Sequence, residues 1–265
     1  GGGEKAQGVA LQPDGKIVVA GSDAANFVVA RYTSAGLLDT AGFGSGAGYV
    51  TTAIGDAAGA YGVAIQPDGM IVVAGTTTIG LNTYFALARY QSSGQLDTTF
   101  NTTGIVTSTL SMDAADAAHA VAIDNNNKIL VAGSVNRDFA LVRYTSTGAL
   151  DSGFGTGGLA TADFAGSNDE GWDLAIQDDN KILVAGFSDT GSSDDFGVVR
   201  FTSAGNLDNT FGGGDGVVST DFGSQSVDQA FGIDLQADGM IVLAGLRTPP
   251  GGTASTDFAL ARYTT

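Results

Sequence analysis

The sequence predicts an all-β fold, a β-propeller of five blades, and three observations carry that expectation. A fourteen-residue unit recurs five times, at Gly8–Gly21, Gly62–Gly75, Ala120–Gly133, Asp173–Gly186 and Gly232–Gly245. The glycine that closes each unit returns at intervals of 54, 58, 53 and 59 residues, a spacing that signals a repeat architecture. The 265 residues include 41 glycines and four prolines, which favours short strands joined by tight turns. No run with apolar residues at helical spacing extends beyond about two turns.

Each repeat resolves into four short strands, here A to D. Strands A and B are the arms of the fourteen-residue unit, and a turn such as Pro67-Asp68-Gly69 joins them. Asp124-Asn125-Asn126-Asn127 and Asp178-Asp179-Asn180 replace that turn in the third and fourth copies. Asn tolerates positive φ, so the turn survives there. Strand C follows at Phe27–Tyr32, Phe85–Tyr90, Phe139–Tyr144, Phe196–Phe201 and Phe258–Tyr263. A Leu-Asp segment comes next, with Asp39, Asp97, Asp151 and Asp208 as its acids. Strand D begins after Gly48, Gly104, Gly158 and Gly216. Four antiparallel strands in about 50 residues are the arithmetic of a propeller blade. A parallel β-helix needs rungs of about half that length. The chain therefore reads as one domain over 1–265, with repeats near 8–60, 61–118, 119–171, 172–230 and 231–265. The fifth repeat stops after strand C, so its blade is expected to have three strands in a closed ring, or to belong to a longer array.

The succession A-x-Q-P-D-G-K-I-V-V-A-G, F-A-L-A-R-Y and L-D-x-x-F-G-x-x-G-x-V resembles the bacterial delta-60 repeat, a propeller-type repeat of large extracellular proteins. The resemblance covers essentially the whole chain and rests on three motifs in fixed order. It implies a propeller fold and an extracellular or cell-surface location, and it implies no activity.

Composition narrows the function classes. A net charge of −17 opposes binding to nucleic acid, which requires clustered Lys and Arg, and to anionic membrane surfaces. No stretch of about 18 apolar residues offers a membrane span. Without cysteine there is no disulfide framework and no thiolate metal site. The single histidine, His119, leaves no Ser-His-Asp triad and no multi-histidine metal site. His119 and Trp172, each beside a strand A, read as packing residues.

One arginine per repeat stands at the same place in strand C: Arg31, Arg89, Arg143, Arg200 and Arg262. By the two-residue period of a strand it shares a face with apolar side chains, so it needs a partner when buried. Asp39, Asp97, Asp151 and Asp208 are the natural partners, forming a structural staple in each blade. Arg262 has no such acid in its own repeat. Phe43, Phe100, Phe154 and Phe211 recur after the Leu-Asp segments and are expected in the core.

Alternation of strand direction sends the B–C loops and D–A crossovers to one face. Half of the 28 acidic residues fall there, Asp113 and Asp138 among them. Asp163, Asp169, Glu170, Asp189, Asp194 and Asp195 are the candidate ligand-binding residues of this acidic face. Its field would attract cations or a basic partner, unless the acids serve only solubility. No metal or other cofactor is expected from motif spacing. Ca²⁺ is the one ion that the Asp and Asn clusters could hold, but they lie at turns and do not match calcium-loop spacing. The glycines around Asp215 precede a strand rather than a helix and do not form a phosphate cradle.

No catalytic residue is singled out. The expected function is non-enzymatic: a binding or structural module that meets a protein or cell-surface polymer through the acidic face, as one part of a longer chain or assembly. A carbohydrate-binding propeller with repeated sites between blades is the alternative. A glycosidase or lyase is a third, with Asp173 and Asp234 as the channel-lining acids it would need.

Overall fold

The computed structural model describes the chain except residues 1–2, 24, 112–114, 165–167, 190, 192, 224, 251–254 and 265. Asp113, one of the acids assigned above to the acidic face, lies outside the described residues, as do parts of the loops 187–195 and 246–257. Among the described residues, nineteen strands build five antiparallel sheets. The first sheet holds β1 (Lys5–Leu11), β2 (Ile17–Ser22), β3 (Asn26–Tyr32) and β4 (Tyr49–Ala53). The second holds β5 (Ala57–Ile65), β6 (Ile71–Ile79), β7 (Asn82–Tyr90) and β8 (Ile105–Ser108). The third holds β9 (Ala117–Ile123), β10 (Ile129–Val135), β11 (Asp138–Tyr144) and β12 (Leu159–Ala162). The fourth holds β13 (Glu170–Ile176), β14 (Ile182–Asp189), β15 (Asp194–Phe201) and β16 (Val217–Thr220). The fifth has three strands, β17 (Val227–Leu235), β18 (Ile241–Thr248) and β19 (Asp257–Tyr263). Each sheet follows chain order, strand beside consecutive strand. This is the up-and-down pattern of propeller blades, and the chain is a β-propeller repeat protein.

The A–B turns are built as their residues demand. Gly15, Gly69 and Gly239 take φ of 80°, 83° and 85°, and Asn127 and Asn180 occupy the same place at 58° and 64°. The turn aspartate accepts a backbone amide two residues on, as Asp68 Oδ1 does from Met70 N at 3.1 Å.

Strand A is not regular. The pairing slips by one residue between Ala6 and Gly8, Ala60 and Gly62, Gly171 and Asp173, and Ala230 and Gly232. The extra residues are Gln7, Tyr61, Trp172 and Phe231, each at a β-bulge that re-aims its side chain. Tyr61 meets His119 edge-on at 5.2 Å between ring centroids, and Trp172 meets Phe231 at 5.3 Å. The bulge also explains the glycine that ends each unit. A Cβ at Gly75 would lie 2.0 Å from the Gly59 carbonyl oxygen, and one at Gly186 1.8 Å from that of Glu170.

The chain divides into two compact units, Gly1–Val131 with Tyr144–Leu150, and Ala132–Arg143 with Asp151–Thr265. In the first, Val18, Ala20, Phe27, Val29, Ala60, Ile71, Val73, Ala86 and Ala88 form a buried core between consecutive sheets. Leu183, Ala185, Phe196, Val198, Ala230, Ile241 and Leu243 do the same in the second. Within each unit the strand C tyrosine of one blade bonds to strand D of the blade before. Tyr90 Oη donates to Thr52 Oγ1 at 2.7 Å, Tyr144 Oη to Ser108 Oγ at 2.8 Å, and Tyr263 Oη lies 2.8 Å from Thr220 Oγ1.

Burial differs sharply between equivalent residues. Phe27, Phe85, Phe139 and Phe196 are fully buried, whereas Phe258, their counterpart in β19, is 100% exposed. Val9 and Leu11 of β1 are exposed as well, although Val63, the counterpart of Val9, is buried.

Candidate functional site

Two kinds of charged cluster repeat along the chain. The first is the strand C arginine. Arg31 places Nη2 2.9 Å from Asp39 Oδ2 and donates from Nη2 to the Gly42 carbonyl at 2.7 Å. Arg89 Nε donates to Asp97 Oδ2 at 2.8 Å, Arg143 Nε to Asp151 Oδ2 at 2.9 Å, and Arg200 Nε to Asp208 Oδ2 at 2.7 Å. Each guanidinium lies over the phenylalanine that follows its aspartate, at 4.8 Å from Phe43, 4.6 Å from Phe100, 4.4 Å from Phe154 and 4.6 Å from Phe211. The third element is a carbonyl of the next blade: Arg31 Nη1 reaches Ser92, Arg89 Nη1 reaches Ser146, and Arg143 Nη1 donates to Ser203 O at 2.7 Å. Arg262 forms no ion pair among the described residues. The carboxylates answer to this environment. Burial alone would raise Asp208, but the Thr210 hydroxyl and amide, Lys181 and Arg200 outweigh it and hold the group well below the usual range. Asp97 is depressed in the same way, by Thr99 and Arg89 against burial. Such clusters tie neighbouring blades together.

The second kind of cluster lies at the B–C and D–A edge. Strand C opens with Asp138 in β11, and Asp195 is the second residue of β15. Strand D is followed at once by Asp163 and by Asp221; Asp169 immediately precedes the next strand A, β13, and Asp228 is the second residue of β17. The registers Phe139↔Ala162 and Phe196↔Thr220 put the first two acids of each set at neighbouring strand ends. The outcome is two triads, Asp138 with Asp163 and Asp169, and Asp195 with Asp221 and Asp228. In each, one carboxylate oxygen per residue lies within 4.8 Å of the others.

Both triads are held alike. The amide of Phe164 donates to Asp169 Oδ2 at 2.9 Å, and that of Phe222 to Asp228 Oδ2 at 2.8 Å. Phe164 packs on Phe139 at 5.1 Å, and Phe222 on Phe196 at 4.9 Å. Ser226 Oγ also lies 3.0 Å from Asp228 Oδ2, and Gly223 N donates to Asp221 Oδ1 at 2.7 Å. Asp169 and Asp228 are fully buried and Asp195 nearly so. Burial first, then the charges of Asp163 and Asp169, pushes Asp138 above the ordinary carboxylate range. Burial, then Asp221 and Asp228, does the same to Asp195. The equivalent places in the earlier blades carry Asn26, Ala53 and Ala58, and then Tyr84, Thr109 and Asp116, so the full set occurs in the later blades alone.

The six acids expected at this face therefore fall into separate roles. Asp163 and Asp169 join one triad and Asp195 the other. Asp189 donates its amide to Asp169 Oδ1 at 3.0 Å and turns its own Oδ1 to Gly191 N. Asp194 lies outside both triads and accepts from Gln229 Nε2 at 2.6 Å; burial raises it first. Glu170 starts β13, opposite Phe187. Asp138, Asp221 and Asp228 were placed by sequence on the acidic face but not among its binding residues, although aligning the repeats on Phe139 and Phe196 places all three in shared columns. Asp173 accepts from Leu174 N at 2.8 Å and from Ile233 N at 3.0 Å, where other repeats have Gly8, Gly62 or Gly232. Asp173 thus bridges two A strands through backbone amides. Asp234 bonds its neighbour Leu235 N.

Four segments, 12–41, 66–100, 125–154 and 177–211, match the family described as a domain of unknown function (DUF5122) beta-propeller. No curated protein matches the chain. Among solved structures, a protein of unknown function from Bacteroides caccae is similar with a TM-score of 0.55 and 12% identity over 92% of this chain and 71% of its own. Virginiamycin B lyase from Staphylococcus aureus, solved with quinupristin, gives 0.54 and 13% over 99% and 70%. The PQQ-bound aldose sugar dehydrogenase from Streptomyces coelicolor gives 0.50 and 16% over 97% and 80%. At these identities the likeness is one of fold. No helix among the described residues is long and apolar enough to cross a membrane.

Proposed function

We propose that this chain is a non-enzymatic binding or structural module, of the delta-60 repeat type, in an exported or surface-displayed bacterial protein. It meets its partner, a protein or cell-surface polymer carrying positive charge, through the acidic loop edge. The observation behind this reading is the convergence of carboxylates from three chain segments into two equally built triads, in a chain of net charge −17. Repeated staples give the strand C arginine of the first four blades a structural use, and acids outside the triads such as Asp56, Asp173 and Asp189 accept from backbone amides. The activities of the lyase and the dehydrogenase belong to those proteins, whose likeness here is confined to the fold.

Titration of the whole chain with an oligolysine peptide tests the reading. Binding should weaken at least tenfold between about 50 and 500 mM salt and again on Asp194→Asn with Asp221→Asn, because the attraction is electrostatic and exposed charges are screened. Affinity that ignores both salt and these substitutions would remove the acidic edge as the binding surface. The carbohydrate reading has one observation of its own. Phe231 and Phe258 flank a cavity of about 590 Å³ with Leu246 in the fifth sheet, and such aromatic walls can stack on a sugar ring. Sugar binding there would be nearly independent of salt and lost on Phe258→Ser.

A further inference from the structure

We propose that Asp195, Asp221 and Asp228 form a binding site for a hard divalent cation of the Ca²⁺ type, and that Asp138, Asp163 and Asp169 repeat it one blade earlier. This deepens the reading above by naming a ligand for the same acidic edge, and rests on it in taking that edge as a binding surface.

Geometry supplies the first part of the argument. Oxygens no more than 4.8 Å apart leave a point within about 2.8 Å of all three, close to the ~2.3–2.6 Å of a Ca²⁺–oxygen bond. The donors are oxygen alone, the set that selects Ca²⁺ over softer metals. Three carboxylates do not complete the six to eight ligands that Ca²⁺ takes, and water fills the remainder on the exposed side, where Asp221 lies.

The second part is independent of the clustering. Asp228 is fully buried, and its Oδ2 accepts from Phe222 N and lies 3.0 Å from Ser226 Oγ, a hydroxyl it shares with the Gly223 carbonyl. Its Oδ1 is buried with no hydrogen-bond partner. Buried polar atoms are almost always paired, and an anionic oxygen left bare is the costliest kind to bury. With Oδ2 occupied, Oδ1 is the oxygen left open to the triad. No lysine or arginine forms an ion pair with Asp195, Asp221 or Asp228 among the described residues. Arg247 stands opposite Asp228 in the β17–β18 pairing but has its own Nε buried without a partner. A cation bound between the three acids supplies the missing contact to Oδ1 and removes their mutual repulsion.

The order of residues shows how the site is assembled. Asp221 and Asp228 bracket the loop from strand D to the next strand A, and Asp195 reaches them from strand C. Binding therefore joins two successive blades at their edge, where the Arg–Asp clusters do not reach. A cation here would act as a further clamp between blades.

Calorimetric titration of the metal-free chain with Ca²⁺, beside thermal melts in EDTA and in millimolar Ca²⁺, tests the assignment. Two ions per chain and a higher melting temperature with Ca²⁺ are expected. Asp228→Asn should reduce the stoichiometry to one. Asp221→Asn, a change at an exposed residue that leaves the fold intact, should weaken that site at least tenfold, while Asp238→Asn in a distant turn leaves both sites unchanged. No heat and no shift in the wild-type chain would overturn the proposal, and would leave Arg247 as the counter-charge of the triad. Two ions still bound by folded Asp221→Asn at undiminished affinity would overturn it equally. Running the oligolysine titration on the same samples separates the two readings: Ca²⁺ uptake without polycation binding sinks only the partner surface, and polycation binding without Ca²⁺ uptake sinks only the metal site.

Discussion

Arg200 and Asp208 are both buried, so each is tolerable only because the other is there. Removing one partner of such a pair leaves an uncompensated charge, and the cost is about 3–5 kcal/mol. Urea unfolding of Arg200→Ala should show a loss of that size, whereas Arg262→Ala, whose guanidinium pairs with no carboxylate among the described residues, should lose under about 1 kcal/mol. The same clusters set the response to acid. Asp97 and Asp208 are depressed in the folded chain, so each contributes stability that is full above its unfolded value of about 3.9 and fades as pH falls through the folded value. The urea midpoint should therefore drop as pH is lowered from about 4.5 toward 2, and Asp208→Asn should flatten part of that slope. The pairing of Arg with the Leu-Asp acid was legible in sequence because both recur at a fixed spacing of eight residues. The carbonyl from the following blade was not, since a backbone oxygen leaves no mark on composition.

At the scale of the strand, two glycines of one hairpin differ in kind. Gly69 sits at φ 83° with nothing near a would-be Cβ, so its use is conformational. Asn fills the same place at Asn127 and Asn180, and Gly69→Asn should change stability by less than about 1 kcal/mol. Gly75 has an ordinary φ but faces a carbonyl that would stand 2.0 Å from a Cβ. Gly75→Ala must force the bulged strand away and should cost more than about 3 kcal/mol in the same assay. The turn was readable from Pro67-Asp68-Gly69. The bulge was not, because an inserted Tyr61 or Trp172 looks like one more β-former in an apolar run, and the two-residue period that would expose the slip is blurred where both faces of the strand are covered.

At the scale of the molecule, identical residues have different worth because neighbours differ. Phe196 and Phe258 occupy the same place in the repeat, yet one is fully buried and the other wholly exposed. Phe196→Ala should cost about 3–5 kcal/mol and Phe258→Ala within about 0.5 kcal/mol. Hydrogen exchange should follow the same contrast, with β19 amides less protected than those of β15, since β19 is the outer strand of a three-stranded sheet. Sequence repetition alone would assign the two residues equal roles.

Sequence by itself determined the all-β repeat, the four-strand blade with a three-stranded last member, the turn chemistry and the arginine–aspartate pairing. Each of these is written in residues close together in the chain and copied several times, so period and propensity suffice to read it. Tertiary structure alone decided which acids meet. Asp195, Asp221 and Asp228 come from strand C, the end of strand D and the next strand A, and only blade-on-blade packing brings their oxygens within 4.8 Å. It also decided that Asp194, one residue from Asp195, lies outside the triad. Successive side chains of a strand point to opposite faces, and the face toward the next blade is settled by packing rather than by charge.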